Sequence, residues 1–229
     1  MNLEAEIISI LRNLGADFVF FTEIAQLSNS LSSHYPRAIV VGIALSPGYI
    51  HRLSQSHQLP ADEFNETERK TDHLADFLAA FLDEKGYTAF SQSEKNLMAK
   101  NCYDESTKSS ILPHKTIAGL AGLGWIGKHN LLVSSQYGSA LSICTVLTDA
   151  PLETATYPPA SPDCGDCNIC RDICQAGALK GNNWREKGSR DELLEVSRCT
   201  ACLKCLALCP WTQNYMNQHL TSQGESPPG

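Results

Sequence analysis

The stretches CGDCNICRDIC (164–174) and CTACLKCLALCP (199–210) decide how the C-terminal part of this chain folds. Each sets cysteines at i, i+3, i+6 and i+10: Cys164, Cys167, Cys170 and Cys174, then Cys199, Cys202, Cys205 and Cys209, with Pro210 behind the second run. This is the spacing of bacterial ferredoxins that hold 4Fe-4S clusters, in which the fourth cysteine of each run serves the other cluster. A loop wound around a cubane presents a thiolate at every third residue, so three cysteines cap three irons and the fourth iron takes a distant ligand. The expected ligand sets are Cys164, Cys167, Cys170 and Cys209 for cluster one, and Cys199, Cys202, Cys205 and Cys174 for cluster two. Zinc fits less well, because its four ligands usually come as two separated pairs and the third cysteine of each triplet would be left over. Disulfides fit poorly as well: residues 1–10 lack a basic n-region and contain Glu4 and Glu6, so no secretory signal is visible and a reducing, cytoplasmic setting is expected.

A length of 229 residues allows one good-sized domain with a smaller one appended. The longest apolar stretch, AIVVGIAL (38–45), suits a buried strand and is far too short to span a membrane, so no membrane partner is expected. The net charge of -7 disfavours a general nucleic-acid surface.

Working back from the cysteines, Pro151, Pro158, Pro159 and Pro162 mark a linker over 151–162 between an α/β domain (1–150) and an iron–sulfur module (163–214), with a tail at 215–229. Within the first domain Ile7, Ile8, Leu11 and Leu14 recur at helical spacing, and Gly15 ends the run. Strands are expected at 18–21 and 38–45, the latter closed by a turn at Ser46, Pro47 and Gly48. A long helix over 61–85 carries Leu74, Phe77, Leu78, Phe81 and Leu82 on one face and stops at Gly86, before a short strand at 87–90. Residues 101–110 are polar without period and read as a loop; strands return at 131–134 and 141–148. This succession implies a layered α/β domain.

Between these strands lies a glycine-rich turn, 119–127. Gly122, Gly124 and Gly127 match GxGxxG, and GLGWIGK (122–128) matches the first seven positions of a phosphate-binding loop. Both matches are incomplete. The preceding stretch, 115–121, is a poor strand, the expected acidic position falls among 139–143, and His129 stands where that loop needs a hydroxyl for magnesium. Two readings stay open: backbone amides approaching a large ligand beside Trp125 and Lys128, or a tight turn packed against the sheet.

Taken together, AGLGWIGKHNLL (121–132), YGSA (137–140), LTDAPL (147–152) and the cysteine runs ending in CPW (209–211) resemble the epoxyqueuosine reductase family. The resemblance is specific over 112–214 and diffuse before it. It implies an α+β chain: an N-terminal layered α/β domain of the cobalamin-binding, nitroreductase-like type, then a C-terminal ferredoxin-like double 4Fe-4S module. It further implies a cobalamin fed by two clusters, as in the related reductive dehalogenases, and an external low-potential electron donor. The positions expected around the corrinoid are Gly122, Gly124, Trp125, Gly127, Lys128, Asn130, Gly138 and Ser139. Members of the family carry a catalytic aspartate just before an LERP-like segment, whereas this chain reads KSSILPHK (108–115), with no acid; the nearby candidate proton donors are Tyr103, Asp104 and His114. Family members also continue into a helical repeat region that helps hold tRNA, and this sequence stops about twenty residues after Cys209. The expectation is a short relative acting on a small molecule or a modified nucleoside, with tRNA in doubt as substrate.

Two other classes remain: an electron-transfer protein whose α/β domain docks a partner enzyme, and a reductase whose α/β domain holds a flavin. Cys144, inside an apolar run, reads as a small buried hydrophobe; Cys102, in a polar loop, reads as a reactive thiol or a spectator.

Overall fold

In the computed structural model, which describes residues 2–27, 31–55, 61–186 and 188–222, the N-terminal period becomes α1 (Leu3–Asn13). Asn2 caps it by accepting from the Ala5 amide at 3.0 Å, and Gly15 follows in the left-handed region at φ +100°. The chain continues through β1 (Phe18–Glu23), β2 (Arg37–Ala44), α2 (Pro47–Gln55), α3 (Ala61–Glu84), β3 (Ala89–Ser91), α4 (Glu94–Ala99), β4 (Tyr103–Asp104), β5 (Ser109–Ser110) and α5 (His114–Leu120). It then forms β6 (Trp125–Ile126), β7 (Leu132–Val133), β8 (Leu141–Thr148), α6 (Ile169–Asp172), α7 (Lys204–Ala207) and α8 (Pro210–Ser222).

Four strands make one sheet in the order β1-β2-β8-β3. β1 and β2 are antiparallel with Phe18 opposite Gly42 and Glu23 opposite Arg37; β3 and β8 are antiparallel with Phe90 opposite Leu147. Alternation on β2 and β8 puts Ile39, Val41, Cys144 and Val146 on one face, and Ile7, Leu11, Leu74, Leu78 and Leu82 from α1 and α3 cover it. Cys144 is thus a core residue, and its thiol is pushed far up by burial beside Asp72. Cys102 is buried too, its Sγ 3.6 Å from the Lys100 carbonyl.

Contacts divide the chain into two compact units. The first comprises residues 1–43, 65–123 and 142–158 and contains this sheet. The second comprises 44–64, 124–141 and 159–229. The grouping interleaves along the sequence, with the glycine-rich segment after Leu123 falling in the same unit as the cysteine runs. The physical reason lies in a core of the second unit in which Tyr49, Ile50 and Leu53 of α2 meet Leu206 and Ala207 of α7 and Tyr215 and Met216 of α8. Tyr215 Oη donates to the Leu45 carbonyl at 3.0 Å, and Lys204 Nζ to that of Leu53 at 2.9 Å.

Some local expectations need correction. Ser46-Pro47-Gly48 does not close a strand with a turn: Ser46 Oγ accepts from the Tyr49 amide at 3.1 Å and Pro47 opens α2, where its missing N–H costs nothing. Residues 101–110 hold a short hairpin, β4 with β5, and α4 precedes it. The expected tail from 215 is helical to Ser222, and residues 223–229 lie outside the described part. Among the described residues no helix is long and apolar enough to cross a membrane.

Candidate functional site

The second unit brings Cys164, Cys167, Cys170 and Cys209 together around one cavity of about 170 Å³, whose wall also includes Lys128, His129, Asp163, Pro210 and Trp211. Three of these thiols come from one loop and the fourth from 35 residues beyond the end of that run, at the mouth of α8. The cavity is several times the ~30 Å³ share of a water molecule. Among the described residues no three His, Cys, Asp or Glu side chains converge tightly enough for a single metal ion. Four cysteines line this one cavity, and a sulfur donor set of that kind suits an iron–sulfur cluster.

Local backbone explains how the loop encloses that volume. In the first run Gly165 adopts φ +47°, and the Cys167 amide donates to the Cys164 carbonyl at 3.0 Å. The second run turns through two left-handed non-glycine residues, Ala201 at φ +52° and Leu203 at φ +57°. Each such residue costs roughly 1–2 kcal/mol, strain that persists only where its surroundings compensate it. Cys199 and Cys202 are exposed on this run, while Cys205 sits on α7. Cys205 and Cys174 pack on the same small core of Ile126, Ala178, Leu179, Leu193 and Leu194, and Cys174 Sγ accepts from the Ala178 amide at 3.3 Å. Trp184 packs on that core as well.

Burial, with the neighbouring thiols adding to it, pushes the Cys170 thiol up to about 11 and that of Cys205 up to about 12; burial likewise raises Cys209. Crowded thiolates are unfavourable on their own, so a cationic centre is needed to hold them ionised.

The residues expected around a corrinoid make the following contacts within the chain. Gly122, in the first unit, would place a Cβ 2.7 Å from the Tyr157 ring. Gly124 lets β6 close on β7, where a Cβ would stand 1.9 Å from the Val133 carbonyl oxygen. Gly127 packs on the His129 ring and Val133, and Asn130 holds φ +65° in the turn with its amide on the Gly127 carbonyl. Trp125 meets Trp211 edge-on at 5.0 Å, and its buried Nε1 has no hydrogen-bond partner among the described residues. Trp211, on the cavity wall, donates from Nε1 to the Asp163 carbonyl at 3.1 Å. His129 Nδ1 accepts from the Leu131 amide at 3.2 Å, so in the neutral ring Nε2–H is left to donate to Ser139 Oγ at 3.1 Å. The Ser139 amide donates to Thr212 Oγ1 at 2.9 Å, and Gly138 lies directly against the Thr212 backbone. The segment 124–139 thus packs on the cysteine module.

The three candidate proton donors lie in the first unit. Tyr103 is half-buried on β4 opposite Ser110. Asp104 turns back on its own hairpin, accepting from the Ser106 amide at 2.8 Å, Ser106 Oγ at 2.6 Å and the Thr107 amide at 3.3 Å. Hydrogen bonds from the Ser106 and Thr107 side chains and amides hold its carboxyl down at about 2, so it is ionised, exposed and unsuited to donating a proton at neutral pH. His114, at the start of α5, ends a buried relay. Gln92 Nε2 donates to the Leu112 carbonyl at 3.0 Å, which turns Oε1 toward Thr145. Thr145 Oγ1 donates to that Oε1 at 2.6 Å, leaving only a lone pair for His114 Nδ1 at 2.8 Å. Nδ1 therefore carries the proton and Nε2 is bare. Burial pushes the imidazole down to about 4, so His114 is a neutral acceptor and not a proton donor. An unfolded histidine takes up a proton near 6.5, so the folded state binds fewer protons between the two values and loses stability as pH falls through that window. His114→Gln should remove that acid sensitivity. Because the residue is only half-buried, the difference in unfolding free energy between pH 7 and pH 5 should shrink by about 1 kcal/mol, measurable by urea denaturation.

No family model matches the chain. It is 34% identical over 113 residues to an epoxyqueuosine reductase of Listeria monocytogenes, covering 43% of this chain and 29% of that protein. It is 30% identical over 134 residues to the epoxyqueuosine reductase of Escherichia coli, covering 52% and 34%. The chain thus matches about a third of the length of these curated relatives. Among solved structures, an epoxyqueuosine reductase superposes with a TM-score of 0.58 over 93% of this chain and 66% of the other, at 17% identity. A catabolic reductive dehalogenase superposes with a TM-score of 0.71 over 94% and 33%, at 19% identity, and a reductive dehalogenase linked to B12-dependent dehalogenation with 0.64. At these identities the structures attest a shared mixed α/β fold. Sequence and fold together make this chain a relative of the epoxyqueuosine reductases, matched over part of their length.

Proposed function

We propose that the chain is an iron–sulfur oxidoreductase of the epoxyqueuosine reductase type, in which two 4Fe-4S clusters carry single electrons from a low-potential donor toward a corrinoid and an electrophilic substrate. The observation that carries the reading is Cys209: a ligand assigned to the first cluster from spacing alone lines the cavity of the other run's three cysteines. Cys164, Cys167, Cys170 and Cys209 would hold cluster one, and Cys199, Cys202, Cys205 and Cys174 cluster two. A bound corrinoid supplies a strongly reducing metal for an epoxide or carbon–halogen bond. The chain's own residues exclude water from cluster one through Trp211 and Pro210, and His114 offers Nε2 as a fixed acceptor for an N–H or O–H of the substrate, which by relation would be a small molecule or a modified nucleoside.

One finding favours a second reading, an electron-transfer protein without a corrinoid of its own. Gly124, Gly127, Lys128, Gly138 and Ser139 make close contacts inside the cysteine-bearing unit. Anaerobic reconstitution with iron and sulfide, followed by titration with cobalamin, separates the two. A base-off corrinoid spectrum with cobalt retained after desalting supports the reductase; no spectral change and no retained cobalt, with clusters intact, leaves the carrier. A co-purifying flavin would replace both.

A further inference from the structure

We propose that Lys128 positions the first cluster's loop and, by its charge, sets that cluster's reduction potential. Lys128 is 6% exposed and lines the four-cysteine cavity. Its Nζ donates to the Gly165 carbonyl at 2.9 Å, the Cys167 carbonyl at 2.9 Å and Asn168 Oδ1 at 3.5 Å. All three acceptors belong to the loop that carries Cys164, Cys167 and Cys170, so one ammonium ties both inter-cysteine segments to the turn after Gly127. All three are also neutral. Among the described residues no carboxylate lies within salt-bridge distance of this ammonium.

A buried cation held by neutral oxygens alone is costly unless something anionic stands beside it. The cavity lined by four thiols is where that anion belongs: ligated by four thiolates, an oxidised 4Fe-4S centre bears a net charge of about -2. Taking up one electron makes it more negative by one, with no bond made or broken, and the fixed ammonium favours the reduced form. The second run's own cation, Lys204, is used otherwise, directing its ammonium to the carbonyls of Leu53 and Ser54. The two clusters thus sit in different fields, and the pair of residues GK (127–128) serves the wiring of the protein rather than a phosphate or a corrinoid.

The inference rests on the two-cluster reading above, and the experiment separates their failures. Wild type, Lys128→Gln and Lys128→Met are reconstituted anaerobically, iron is counted, and both centres are titrated by EPR-monitored reduction. Glutamine keeps donors for the loop and loses the charge. It should retain about eight irons and lower one centre's midpoint by about 59 mV or more, a tenfold shift in its oxidised-to-reduced ratio, without moving the other. Methionine removes charge and clamp and should lose one centre, leaving about four irons. A glutamine variant with both potentials unchanged, or a methionine variant with full iron at both centres or equal loss from both, would overturn the proposal for Lys128. Wild type that takes up no clusters would overturn the two-cluster reading itself.

Discussion

Cys209→Ala should empty the first cluster, although the substitution lies in the second cysteine run. The thiol of Cys209 lines the same cavity as Cys164, Cys167 and Cys170, and it is the cysteine just before α8. Removing it leaves three thiolates for four irons, and the open iron exchanges or is lost, so iron should fall from about eight to about four per chain and one of two reduced EPR signals should vanish. The reciprocal variant, Cys174→Ala, should spare that signal and remove the other, because the crossed pattern makes Cys174 the fourth ligand of the second run's cluster. The two variants form an internal control: each mutates one run and should disable the cluster built mainly from the other. If Cys209→Ala instead behaves like Cys199→Ala, with both affecting the same centre, each run holds its own metal and the crossed assignment is wrong.

How much of this was legible beforehand depends on how far apart the interacting residues lie in sequence. The gathering of Cys164, Cys167, Cys170 and Cys209 around one cavity was legible because the spacing is itself the chemistry: a cubane asks for thiolates every third residue and one from elsewhere. The helices α1 and α3 and the strands β1, β2 and β8 were legible because each buries one face against the same core, which leaves a period of 3.6 or an apolar run. α2 was masked by Pro47 and Gly48, which read as a turn, although Tyr49, Ile50 and Leu53 behind them carried a helical spacing. Residue type marks candidate proton donors, but only the fold reveals that Asp104 caps its own turn and that Gln92 and Thr145 fix the tautomer of His114. The glycine-rich segment was the hardest. Its residue types marked close backbone approach correctly, yet not to what: Lys128 reaches the loop at 165–168 and Gly138 reaches Thr212, contacts 37 and more residues away that no local pattern records.

That last contact yields the second large effect. Gly138→Ala should destabilise the protein and cost it the first cluster, though Gly138 is no ligand. The residue holds φ +58°, where a Cβ costs roughly 1–2 kcal/mol. A Cβ there would also stand 2.3 Å from the Thr212 amide nitrogen and 2.4 Å from its Cα, far inside van der Waals contact with backbone that has no rotamer to yield. Overpacking of this kind adds about 1–3 kcal/mol, so a total of ~2–5 kcal/mol is expected by urea denaturation. The displacement has a direction. Thr212 is fully buried in the first turn of α8, accepts from the Ser139 amide, and lies three residues after Cys209, whose carbonyl receives the Gln213 amide at 2.9 Å. Pushing Thr212 away from the 134–138 turn therefore moves Cys209 relative to the loop that Lys128 holds in place. Iron loss in Gly138→Ala should match that in Cys209→Ala, at about four per chain, and the second cluster's signal should persist. Thr212→Ala separates strain from anchoring, because it deletes the hydrogen bond to Ser139 without adding a Cβ clash; it should lose about 1 kcal/mol and keep both clusters. A Gly138→Ala protein that retains both signals at full intensity would mean that the turn at 134–138 has no hold on the geometry of cluster one.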